Sequence, residues 1–200
     1  MTSEPDSPKQ RLLKEASRIF GEKGFAGTSV REICKAADTS SNMIHHYFGS
    51  KQGLYDAVIA RFSEDVFDVP IRVISNSPDS AEGFATRLQI FFEESLEALI
   101  AHRQVYELAN RERMVVPSFA TYNESVVAYM EAGKAKGFVR QELDSEMVTG
   151  LFLDRLGPQI FYAEKIKEMQ GESLLDAGPY RRRWMKANLD LFLNGLLRTT

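Results

Sequence analysis

The sequence predicts an all-α protein in two parts: an N-terminal three-helix domain built around a helix-turn-helix, and a larger C-terminal helical domain. Three observations predict it. Apolar residues recur at three- and four-residue spacing, the signature of helices with one buried face. No run alternates apolar and polar residues as a half-buried strand does; Ile71 to Ile74 comes nearest and is too short to carry a sheet. The stretch T-S-V-R-E-I-C-K-A-A-D-T-S-S-N-M-I-H-H-Y-F-G-S-K, Thr28 to Lys51, holds two short helical patterns on either side of the polar break Asp38-Thr39-Ser40.

Residues 1–8, with two prolines and no apolar anchor, read as a disordered tail. A helix is expected from about Ser7 to Lys23, with Leu12, Leu13, Ala16, Ile19 and Phe20 as its buried stripe and Gly21 to Gly27 ending it. In the next helix Val30, Ile33, Cys34 and Ala37 recur at i, i+3, i+4 and i+7. Thr28 stands at its start and can cap it, and Ser40 caps the helix that follows. There, Ile44, Tyr47 and Phe48 form a narrow apolar edge. At about 100° per residue, Asn42 and His46 point away from that edge, with Met43 and His45 on its flanks. Ser50 caps a fourth helix through about Phe67, with Leu54, Val58, Ile59 and Phe62 inward. The helix-turn-helix domain is thus placed at 9–54 and the second domain at 55–200.

Pro70 to Ser80, with two prolines and a Ser-Asn-Ser run, reads as a linker. Long helices then follow at about 80–101, 103–113, 117–136, 144–169 and 176–198. Gly137 and Gly171 stop two of them. Gly157-Pro158 must kink or split the fourth, because proline lacks a donor and clashes with the preceding turn. The last helix carries Trp184, Leu189, Phe192, Leu193, Leu196 and Leu197 at helical spacing, and the segment around Ile160, Phe161 and Ile166 is similarly apolar. Arg181-Arg182-Arg183 opposes the dipole at a helix start and calls for acidic partners on a neighbour.

Composition bounds the function. With 44% hydrophobic and 26% charged residues the chain is an ordinary globular protein, and no apolar run is long enough to span a membrane. The acidic, polar N-terminus is no signal peptide, and a single cysteine forms no internal disulfide. A cytoplasmic protein is therefore expected. The net charge of −3 argues against a generally basic nucleic-acid coat, yet residues 1–54 hold eight Lys/Arg against six Asp/Glu, leaving the rest at −5. That asymmetry suits DNA contact at the N-terminal end.

The runs F-A-G-T-S-V-R-E-I and A-A-D-T-S-S-N-M-I-H-H-Y-F-G-S-K-Q-G-L resemble the DNA-binding region of the tetracycline-repressor (TetR) family. The resemblance is motif-level over Arg11 to Tyr55 and rests on Gly24, Thr28, Ile33, the Tyr47-Phe48 pair, Lys51 and Leu54. Three positions depart from the family pattern. Asp38 stands for a turn glycine, His45 for a common tyrosine, and Gly53 for the glutamate that would complete a capping box begun by Ser50. The resemblance implies a homodimeric transcriptional repressor, joined through its last two helices. It would bind a near-palindromic double-stranded operator and be released by a small effector in the C-terminal domain.

The DNA-facing candidates are Thr28, Ser29, Arg31, Ser40, Ser41, Asn42, Met43, His45, His46, Tyr47 and Lys51. Thr28 and Ser29 lie where helix-start amides meet a phosphate, and Arg31 lies one turn in. Asn42 suits a bidentate pair with adenine and Met43 a thymine methyl, while Tyr47 and Lys51 suit phosphates. For an apolar or aromatic effector, the candidates among the second part's many aromatics and few polar groups are Phe91, Phe92, Arg103, Tyr106, Asn110, Tyr122 and Phe152. Catalysis finds no support: the chain has no glycine-rich phosphate loop, no G-x-S-x-G and no H-E-x-x-H. Adjacent His45 and His46 point about 100° apart, poor for sharing a metal, so neither metal nor cofactor is expected. The alternative reading is a helical ligand-binding or adaptor protein that reads no DNA.

Overall fold

Polar caps and apolar stripes divide the chain into helices, which the computed structural model describes for residues 7–114, 116 and 118–197. Helix α1 (Pro8–Gly27) opens on a reciprocal capping box between Ser7 and Gln10, with Pro8 in its first turn. Ser7 and Pro8 therefore begin a helix rather than end the expected tail; residues 1–6 of that tail lie outside the described residues. The helix also outruns Lys23. Gly24 interrupts it at φ 72° and ψ 173°, a backbone conformation open to glycine, and one more turn follows to Gly27.

Helices α2 (Val30–Ala36) and α3 (Ser41–Phe48) form the helix-turn-helix, and α4 (Lys51–Ser63) follows. Leu12, Ala16, Ile19, Phe20, Ile33, Cys34, Ile44, Leu54, Tyr55, Val58 and Phe62 are buried together as their core. Phe20, Phe25 and Tyr55 form a ring cluster with centroids 5.0 to 6.1 Å apart. Burial pushes the Cys34 thiol above its ordinary pKa and so keeps it unreactive. The fourth helix stops short of the expected Phe67, because 64–68 winds as a wider π-helical turn.

Contacts divide the chain into two compact units: Met1–Ser63 with Gln104–Val116, and Glu64–Arg103 with Pro117–Thr200. The first unit thus extends past the boundary expected after residue 54, because Val58 and Phe62 serve its core. It also takes in nearly all of helix α7 (Arg103–Arg111). Gln104 of that helix lies so near Gly21 that a Cβ on the glycine would fall 2.6 Å from the Gln104 Cβ. Arg111 donates to the Gly21 carbonyl at 2.9 Å, and the Tyr55 hydroxyl donates to Glu112 at 2.7 Å.

The second unit contains α5 (Val69–Ile71), a 3-10 turn (Arg72–Ile74), α6 (Ala81–Ala101), α8 (Ser118–Ala135), α9 (Ser145–Leu153), α10 (Leu156–Phe161), α11 (Ala163–Gln170) and α12 (Pro179–Leu196). The linker expected over Pro70 to Ser80 is helical as far as Ile74. Pro70 sits in a first turn, where its missing N–H costs nothing, and both Pro70 and Ile74 are buried. The expected 144–169 helix splits in three. Its first break comes just before Gly157-Pro158, which places the proline in the opening turn of α10. Helix α12 starts at Pro179, three residues later than expected.

Phe84, Leu88, Phe91, Phe92 and Leu96 of α6 pack with Tyr122, Val126, Tyr129 and Met130 of α8 and Phe152 of α9 as the second core. The start of α12 is held within the chain. Arg181 pairs with Glu97 at 2.7 Å and donates to the Leu174 and Leu175 carbonyls, and Arg183 pairs with Glu172 at 2.5 Å. Among the described residues no strand forms; a single antiparallel bridge joins Val139 to Leu197.

Candidate nucleic-acid interface

Helix α3 is anchored by one side chain. Ile44 is 0% exposed, while Tyr47 and Phe48 are half-buried beside it. The apolar edge read from the sequence thus faces the core, and the rest of the helix faces out. Ser41, Asn42, His45 and His46 are exposed and Met43 is half-buried. Ser40 occupies the N-cap position, but its hydroxyl makes no cap hydrogen bond. His45 Nδ1 lies 3.0 Å from the Gly49 carbonyl. A carbonyl oxygen only accepts, so that nitrogen carries the proton and Nε2 points elsewhere. The His46 ring stands 4.9 Å from that of Tyr47.

At the start of α2 the cap belongs to Ser29, whose Oγ accepts from the Glu32 amide at 3.2 Å. Thr28 is buried, and its hydroxyl donates back to the Gly24 carbonyl at 2.8 Å. It therefore ties the break in α1 to the next helix and closes the end of α1, but does not cap α2 as the sequence predicts. Arg31 is exposed, as are Lys9, Lys14 and Lys35 on the same unit. Lys51 is half-buried: its ammonium donates to the Phe25 carbonyl at 2.5 Å and sits 4.3 Å above the Phe25 ring. A lysine has three N–H donors, so this contact leaves donors over.

Two further residues of this unit set how its helices meet. Arg11 reaches from α1 to the turn, with Nε donating to the Ala37 carbonyl at 3.0 Å and Nη2 to the Asp38 carbonyl at 3.5 Å. Gly53 donates its amide to Ser50 Oγ at 3.0 Å, and a Cβ on it would fall 1.9 Å from the Phe48 carbonyl oxygen. The glutamate that the TetR resemblance leads one to expect at that position has no room here. The 26-residue separation between Arg11 and Ala37 leaves no local signal, whereas the glycine in place of an expected glutamate was a visible one.

The effector candidates divide between the units. Phe91, Phe92, Tyr122 and Phe152 come together in the second, with ring centroids 4.6 to 6.4 Å apart. The Tyr122 hydroxyl donates to Ser95 at 2.7 Å, and burial pushes its phenol well above the ordinary range. Arg103 pairs with Glu164 at 2.7 Å. Tyr106 and Asn110 belong to the first unit, where Asn110 donates to the Tyr106 carbonyl at 2.9 Å.

A helical unit that displays the second helix of a helix-turn-helix, joined to a helical second unit, has the arrangement of a DNA-binding transcriptional regulator. Residues 12–58 match the family described as "Bacterial regulatory proteins, tetR family". The chain is 28% identical over 152 residues to the HTH-type transcriptional repressor KstR2 of Rhodococcus jostii, covering 73% of this chain and 74% of that one. The fold resembles that of KstR2 of Mycobacterium tuberculosis, described as a ketosteroid transcriptional regulator (TM-score 0.71, 21% identity, 99% of each chain). It also resembles PfmR of Thermus thermophilus (TM-score 0.70, 21% identity, 94% of this chain and 100% of that one). Residues 12–58 thus carry the DNA-binding region of the TetR family, and the whole chain is similar to regulators of that family. Such proteins are regulators and not enzymes. Among the described residues no helix is long and apolar enough to cross a membrane.

Proposed function

We propose that this regulator is a repressor that binds a near-palindromic operator as a homodimer and is released by an apolar or aromatic small molecule held in the second unit. The observation that carries the DNA reading is the exposure of Ser41, Asn42, His45 and His46 on a helix whose opposite edge is anchored by fully buried Ile44. An uncharged, hydrogen-bonding face reads base edges. The exposed cations of α1 and α2 supply attraction to phosphate without sequence preference.

Dimerisation is supported by apolar side chains left on the surface of the second unit. Met147 and Leu151 of α9 and Leu191 of α12 are each about 60% exposed, and Phe161 and Tyr162 are exposed beside the α10–α11 junction. A second copy would cover such groups. The effector class is supported by the ring cluster of Phe91, Phe92, Tyr122 and Phe152. Similarity to a protein described as a ketosteroid transcriptional regulator points the same way. The deciding experiment is selection of bound duplexes from a random library by the purified chain. The expected product is an inverted repeat with half-sites about one helical turn apart. Enrichment of no sequence, or of a single unrepeated site, would overturn the proposal.

A further inference from the structure

We infer that Arg11 is a positioning residue for DNA recognition: its guanidinium closes the Asp38 turn and thereby fixes the direction in which α3 leaves α2. The inference rests on the reading that α3 enters the DNA. Helix α2 ends at Ala36, with Ala37 as its cap. Asp38 follows at φ +48°, and the Thr39 amide donates back to the Cys34 carbonyl at 2.9 Å. This is the closure that ends many helices through one left-handed residue. Glycine is the usual residue there, because a Cβ crowds the neighbouring carbonyl in that conformation. Here the residue has a side chain, so the turn needs support from outside.

Arg11 supplies it. The closure uses the Cys34 carbonyl but leaves those of Ala37 and Asp38 pointing out of the helix pattern. The guanidinium fork donates to both, at 3.0 and 3.5 Å. Ala37 itself is 2% exposed, so packing holds one side of the turn and Arg11 the other. Three residues after Asp38 the helix α3 begins, and a small rotation at the turn would sweep Asn42 and His46 through a wide arc. A lysine keeps the charge of Arg11 but cannot present two N–H groups in one plane.

The test uses the full chain as wild type, Arg11→Lys, Arg11→Gln, Asp38→Gly and the Arg11→Gln/Asp38→Gly pair. Two quantities are read: amide hydrogen exchange at Thr39, and affinity across a salt series for the duplex that the wild type enriches, beside a scrambled one. Both Arg11 variants should speed Thr39 exchange and weaken the enriched duplex about tenfold, with the salt slope unchanged. Asp38→Gly should restore the Gln variant to within about threefold of wild type. Three results would each overturn the inference: unchanged exchange, no rescue by glycine, or an Arg11→Lys variant that binds like wild type while Arg11→Gln loses about one from the salt slope. The last would make Arg11 a phosphate contact. A wild type that enriches nothing would count against DNA reading itself, and the exchange data alone would then decide Arg11's hold on the turn.

Discussion

Asn42 and Lys51 lie nine residues apart and do different work. Asn42 is exposed two positions before fully buried Ile44, so its amide is free to meet a base edge with its helix held behind it. Asn42→Ala should reduce discrimination between the enriched duplex and a scrambled one by roughly 1–3 kcal/mol and leave scrambled binding unchanged. Competition binding with both duplexes checks this, and equal losses on both would remove the base contact. Lys51 reads as a phosphate ligand from sequence, but its ammonium holds the Phe25 carbonyl and ring at the end of α1. Lys51→Ala should therefore lower stability by about 1–2 kcal/mol, from a charge-assisted hydrogen bond and a cation–π contact. Denaturant unfolding measures that loss. Its salt dependence separates the two roles: a pure positioning lysine leaves the slope of DNA binding alone, while a phosphate contact takes about one from it.

Single residues also govern how the helices meet. Gly53 lets α4 start directly beside the end of α3, where any Cβ would strike the Phe48 carbonyl. Gly53→Ala should cost about 1–3 kcal/mol in thermal unfolding, because backbone must shift to make room. DNA affinity should fall with it, since the displaced element is α3; a variant as stable as wild type would show that the turn yields easily. In the second unit Glu131 of α8 accepts from Ser145 at the start of α9 and pairs with Lys134 at 3.0 Å. The Ser145 hydrogen bond, with Lys134 adding to it, lowers its pKa from the ordinary 4.5. A depressed carboxylate stabilises the fold above its unfolded pKa and loses that contribution as pH falls through the folded value. The melting-temperature gap between wild type and Glu131→Gln should accordingly be widest near neutral pH and close as pH falls through the lowered folded value. The sequence disclosed elements wherever local chemistry suffices: the Ser50 cap of α4, the i, i+4 stripe of α2 and the polar break before α3. It misled at Pro70, because a proline in a first turn looks the same in sequence as one in a linker. It also could not say that α7 packs with the first unit, since an apolar stripe does not name its partner.

For the whole molecule, the proposed effector would act on a chain that passes between two units at three places: Ser63 to Glu64, Arg103 to Gln104, and Val116 to Pro117. At the first, α4 continues into the π-helical turn of 64–68, which brings buried Val66 and Phe67 into the second unit. Phe67 stacks edge-on against Tyr122 at 5.3 Å, and Tyr122 belongs to the ring cluster proposed for the effector. A ligand that moves Tyr122 would therefore press on Phe67, in the π-helical turn that continues α4. π-helical turns hold one residue more per hydrogen bond than α-helix and are found often at functional sites, which makes 64–68 the crossing to test first. Removing the contact should weaken the coupling without removing either binding event. Phe67→Leu keeps an apolar side chain but loses the ring contact, so it should bind operator and ligand with near-wild-type affinities and respond less to their joint presence. The quantity to measure is ligand affinity with and without saturating operator. Linkage requires that a ligand which weakens DNA binding by some factor is itself weakened by DNA by that same factor. In wild type a factor of about 5–150 is expected, the range of typical coupling energies, and in Phe67→Leu a smaller one. A wild type whose ligand affinity ignores operator would mean that the ligand favours neither state and is no inducer. An undiminished factor in Phe67→Leu would send the coupling through one of the other two crossings.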